Sequence, residues 1–76
     1  MKHVIEVFDK NTEELLLSVE IPGSRSEALK KLMNWQYPGD EYDGYDLSSE
    51  QVKILEDWTG RNLDDANHLV QLVCTE

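Results

Sequence analysis

Along this 76-residue chain, apolar positions first alternate, then recur at helical spacing, then alternate again. Val4-Ile5-Glu6-Val7-Phe8 is rich in β-branched and aromatic residues, which suit a pleated surface, and predicts a strand. Asp9-Lys10-Asn11-Thr12-Glu13 is polar throughout, with Asp and Asn supplying turn chemistry. In Leu15-Leu16-Leu17-Ser18-Val19-Glu20-Ile21, strand alternation puts Leu15, Leu17, Val19 and Ile21 on one face and Ser18 and Glu20 on the other. The two strands form a hairpin with one core-facing side. For the first strand, Ile5 with Val7 and Val4 with Phe8 are equal inward choices, because a one-residue slip exchanges them.

Pro22-Gly23 ends the second strand. Ser24 lies three residues before Glu27, the spacing of a capping box, and Ala28, Leu29, Leu32 and Met33 recur at helical spacing with Lys30 and Lys31 outside. The pattern predicts a first helix from about Ser26 to Trp35, stopped by Pro38-Gly39. A second helix opens with the capping box Ser48 and Gln51, and Leu47 with Val52 has the spacing of a hydrophobic staple. Val52, Leu55 and Trp58 line one face with Ile54 beside them, and Gly60 supplies a left-handed stop. After the polar link Arg61-Asn62-Leu63-Asp64-Asp65, a third strand, His68 to Cys74, is apolar on both faces except at Gln71.

The order is β-β-α-α-β in one domain spanning residues 1–76. Two amphipathic helices cover one face of three strands, giving a two-layer α+β fold with a three-stranded antiparallel sheet. Antiparallel helices return the last strand antiparallel to the second, which is then central; the long loop before the second helix allows the reverse.

Charge changes this picture. The net charge is −9, and its distribution is uneven. Residues 1–38 hold six acids and five bases, whereas residues 39–76 hold ten acids and two bases. Phosphate repulsion then opposes nucleic-acid binding, and anionic membrane surfaces are disfavoured for the same reason. No apolar stretch approaches the ~20 residues of a membrane helix, and no leader-like segment opens the chain, so a cytoplasmic protein is expected. A lone cysteine, Cys74, makes no internal disulfide.

Little points to catalysis. No glycine-rich phosphate cradle or nucleophile elbow occurs. His3 and His68 fall on different strands that pairing can bring together near Cys74, yet these three do not complete a tetrahedral zinc site. Asp40, Glu41, Asp43 and Asp46 offer oxygens without the spacing of a calcium loop. The expectation is a non-enzyme with no cofactor and no metal.

What stands out is Asp40-Glu41-Tyr42-Asp43-Gly44-Tyr45-Asp46, four carboxylates and two tyrosines with no base between Lys31 and Lys53. A turn-rich loop displaying acid and aromatic surface fits a binding site: Tyr37, Tyr42 and Tyr45 set large amphipathic rings among the acids, with Tyr42 and Tyr45 as anchors and Asp40, Glu41, Asp43 and Asp46 facing lysine or arginine on a partner. The alternative is a solvated connection whose tyrosine rings fold back over the core with only their hydroxyls exposed. Trp35 and Trp58, at helical positions, read as core. Glu50, Glu56 and Asp57 on the second helix extend the acidic surface; Glu56 and Asp57 oppose the macrodipole there.

The hairpin Val7-Phe8-Asp9-Lys10-Asn11-Thr12-Glu13-Glu14-Leu15, the Gly44-Tyr45-Asp46-Leu47 ahead of a helix, and the closing apolar strand resemble a family of small bacterial proteins. Some of its members are identified as immunity proteins of contact-dependent growth inhibition and other polymorphic toxin systems. The resemblance spans most of the chain through short, mainly structural motifs. It implies a cytoplasmic protein that binds and neutralises a cognate toxin domain, commonly a nuclease. A nuclease cleft is basic, and a small acidic domain is steered to it. The other reading is an adaptor module with a non-toxin partner.

Overall fold

In the computed structural model, which describes residues 2–37, 39–40 and 44–75, β1 (Lys2–Asp9) and β2 (Leu15–Glu20) form the antiparallel hairpin. Its turn is built by Asp9, whose carboxylate accepts the backbone N–H groups of Asn11 (2.8 Å) and Thr12 (3.0 Å). Glu13 adopts a left-handed φ of 63° to close the loop, and its N–H donates to the Asp9 carbonyl at 2.8 Å. The first strand turns Ile5 and Val7 inward, with 0% and 1% of their surface exposed. Val7 pairs with Leu17 and Phe8 with Leu15, so Leu16 is an extra residue in β2. That bulge corrects the alternation expected for β2: Leu17 and Val19 face the core, whereas Leu15 crosses to the face of Phe8 and is half exposed.

The sheet has four strands, not three, in the order β2-β1-β4-β3. β4 (His68–Thr75) pairs antiparallel with β1 along its whole length, from Lys2 with Thr75 to Asp9 with His68. Beyond it the two-residue β3 (Tyr45–Asp46) pairs with Leu72 and Gln71. The second strand is therefore an edge and runs in the same direction as β4, contrary to the central, antiparallel place expected for it. The physical reason lies in the side chains. On the outer face β1 keeps Val4 and Phe8 and β4 keeps Leu69 and Val73, which suits them to the centre, while β2 is polar there at Ser18 and Glu20 and apolar only at its start, Leu15. β3 is too short to show alternation. The same register separates the histidines: His3 faces Cys74 at one end, and His68 lies opposite Asp9, six residues or about 20 Å away.

Both helices lie on one face. α1 (Ser26–Met33) follows a 3-10 turn, Gly23–Arg25. The capping box expected from Ser24 and Glu27 does not form, because Ser24 is inside that turn, where the Arg25 N–H donates to the Pro22 carbonyl at 2.9 Å. Asn34, left-handed at φ 56°, ends α1 just short of the expected Trp35. α2 (Ser49–Thr59) has the expected box: the Ser48 hydroxyl accepts the Gln51 N–H, and the Gln51 side chain accepts the Ser48 N–H. Gly60 ends it at φ 69°. Gln51 also reaches the Met33 sulfur at 3.7 Å, tying the start of α2 to the end of α1.

Ile5, Val7, Val70 and Leu72 from the sheet meet Leu29 of α1 and Val52 and Leu55 of α2, and Ile21 and Leu63 close the core. Leu47, Trp35 and Trp58 pack around it, partly buried. No helix among the described residues is long and apolar enough to cross a membrane.

Candidate functional site

The segment after α1 is organised by Asp40. Its Oδ2 accepts the backbone N–H groups of Gln36 (3.0 Å) and Tyr37 (3.1 Å), and its own N–H donates to the Tyr37 carbonyl. One carboxylate thus satisfies two backbone N–H groups of the irregular segment beyond α1. The Tyr45 hydroxyl then donates to the Asp40 carbonyl at 2.6 Å.

Tyr45 is not a displayed anchor. β3 places it opposite Leu72, on the core side of the sheet, and it is half-buried. Its ring lies 5.8 Å from that of Trp35, which in turn lies 5.5 Å from the His3 ring. The arrangement is the folded-back tyrosine with a hydrogen-bonded tip. Tyr37 is instead the aromatic on display, 73% exposed beside Asp40. The sequence groups Tyr37 with the aromatics of the acidic segment without choosing it as an anchor. The expected contacts Glu41, Tyr42 and Asp43 lie outside the described residues.

Asp46 lies on the opposite side of β3 from Tyr45, exposed, and accepts a hydrogen bond from the Gln71 side chain at 3.0 Å. On α2, Glu50 is exposed in the first turn, where the helix dipole favours it. Asp57 is exposed near the other end. Glu56 acts locally, its Oε2 accepting the N–H groups of Leu63 (2.7 Å) and Asp64 (3.0 Å). Those two backbone donors hold its carboxyl below the ordinary glutamate range, and the Asp64 amide contributes most. The clamp seats Leu63, fully buried, as the one apolar plug in an otherwise polar link. Asp9 is lowered in the same way by the amides of Thr12 and Asn11.

Hydrogen bonding to backbone amides leaves these carboxylates ionised, so the acids that shape the link and the loop still contribute to the outward field. Among the described residues only two ion pairs form, Lys2 with Glu20 and Lys30 with Glu27, both within the charge-balanced first half. Among the described residues, no carboxylate after residue 39 has a cation within ion-pair distance, and the Lys53 charge only adds to the lowering at Glu56. Nor do three or more His, Cys, Asp or Glu side chains gather around a potential metal position among the described residues. The arrangement favours attraction of positive charge; the two shifted carboxyls move in the direction of fixed anions, not of proton donors.

No curated protein and no solved structure matches the chain. A family model does match, over residues 2–72, from the first residue of β1 to the middle of β4, and so across every strand and helix. The chain belongs to that family, DUF7683, a domain of unknown function.

Proposed function

We propose that this chain is an inhibitory binding protein that meets a basic protein partner. In the most specific form of the reading, it is an immunity protein that neutralises a cognate toxin domain of the nuclease type. The observation that carries it is the unneutralised charge: ten acids against two bases in residues 39–76, with every described ion pair in the other half. Self-repulsion of that kind destabilises a small domain, and an oppositely charged partner relieves it on binding. The toxin assignment rests on the resemblance of the hairpin, the Gly44-Tyr45-Asp46-Leu47 stretch and the closing strand to a family of small bacterial proteins, some of whose members are identified as immunity proteins.

Co-expression with the protein encoded beside it tests the reading. A neighbouring basic toxin domain should co-purify with this chain, lose its toxicity, and associate more slowly as salt rises. A neighbour that neither binds nor is neutralised would refute the immunity form.

A further inference from the structure

The helices cover one side of the sheet, and no described element packs across the other. Its side chains fall into rows fixed by the pairing register. One row is apolar: Leu15, Phe8 and Leu69, from β2, β1 and β4. Leu15 is 51% exposed and Leu69 40%, and a shallow groove of about 280 Å³ runs between Phe8, Leu69, Glu13 and Gln71. The next row is polar and crosses all four strands: Ser18, Glu6, Gln71 and Asp46. Among the described residues neither Glu6 nor Asp46 has a cation within ion-pair distance, and the Asp46 carboxylate accepts a hydrogen bond from the Gln71 amide. Beyond these lie Glu20 (paired with Lys2), Val4 and Val73.

We propose that this uncovered face is the docking surface. Its occupant is a basic protein segment that sets an apolar side chain against Leu15, Phe8 and Leu69 and a lysine or arginine onto Glu6 and Asp46. The inference rests on the reading of the chain as a binder of a basic partner and adds where that partner sits.

Four observations select this occupant. Adjacent rows are two residues apart along a strand, about 7 Å, which matches alternate side chains of an extended segment. Two carboxylates beside an apolar row require a partner that is cationic next to its apolar residue, since an apolar group alone would desolvate them without compensation. A second copy is the wrong occupant: it would bring another net charge of −9, and another Glu6, against the first. Addition of a strand to the β2 edge is also disfavoured, because the bulge at Leu16 interrupts the ladder there.

Titration of the ¹⁵N-labelled full chain tests this, with a synthetic peptide that repeats leucine-serine-arginine-serine as the probe. Amide shifts should concentrate at Val4, Glu6, Phe8, Leu69 and Gln71. Replacing the peptide's arginines by glutamine, or making L15S/L69S in the protein, should weaken binding about ten-fold, the scale expected for losing a central contact. Both leucines are already substantially exposed, so the variant retains its fold, which its spectrum verifies.

Shifts centred on Tyr37, Glu50 and Asp57 and indifferent to L15S/L69S would overturn the docking surface while leaving a basic partner in place. Equal binding of the glutamine peptide would overturn the cationic occupant. Concentration-dependent shifts of the same residues without peptide would make a second copy the occupant instead. Absence of binding by both peptides would overturn the inference alone, since the co-purification experiment decides separately whether a basic toxin binds.

Discussion

The same strands present two sides that differ in almost every respect. On the covered side Ile5, Val7, Val70 and Leu72 are buried, at 0% to 9% exposure, under Leu29, Val52 and Leu55. On the open side Val4, Glu6, Phe8, Gln71 and Val73 are only half-buried, and Leu15 and Leu69 more exposed still. A soluble sheet face is ordinarily polar when nothing covers it. Here, with no described element across it, the open side keeps an apolar row next to two carboxylates, so the first side accounts for stability and the second has a surface composition that stability does not require.

The largest expected effect lies on the covered side. Ile5→Ala or Leu72→Ala should cost about 2–5 kcal/mol in denaturant unfolding, from lost burial plus the cavity left behind. A domain this small buries a smaller share of its surface than a large one, so such a loss threatens the fold itself. Unfolding free energies unchanged by these substitutions would dissolve the distinction between the sides. At the boundary between them, Tyr45→Phe should cost about 1 kcal/mol, the net worth of its hydrogen bond to the Asp40 carbonyl.

A smaller effect is expected at the Glu56 clamp, whose carboxyl is partly open to water. Its pKa is lowered by folding, so its contribution is present above the ordinary glutamate value of 4.5 and is lost as pH falls through the lowered value. Acid also relieves the self-repulsion of the net charge, with the opposite sign. The clamp is therefore read from a comparison: Glu56→Gln should unfold with a shallower acid dependence than the native chain, and identical profiles would remove it from the stability account. The smallest change belongs to the open side, where L15S/L69S should leave stability within about 0.5 kcal/mol while altering binding.

The sequence made the two amphipathic helices, the α2 capping box and the Gly60 stop legible, because each is written in residues close together along the chain. Pairing between distant strands was less legible. β4 chose β1 over β2, although all three carry apolar residues, and only the polar face of β2 distinguishes the edge. The Leu16 bulge was invisible because three consecutive leucines give no hint of where alternation slips. Leu63 could be found as the single apolar residue in its link, whereas the role of Glu56 depends on a carboxylate reaching seven and eight residues ahead. In the candidate site, the acidic surface was read from charge. The roles of Asp40 as a backbone clasp and Tyr45 as part of an aromatic stack depend on contacts that composition does not encode.

The most direct test compares two pairs of charge removals that alter the net charge equally. E6Q/D46N removes the two carboxylates of the polar row on the open face, and E50Q/D57N removes two exposed acids of α2. Affinity for the arginine-containing peptide, measured by calorimetry at low salt, should fall about ten-fold for the first pair and less than about two-fold for the second, because contact and not long-range field sets the difference. An equal loss for both pairs, or a larger one for E50Q/D57N, would contradict the account.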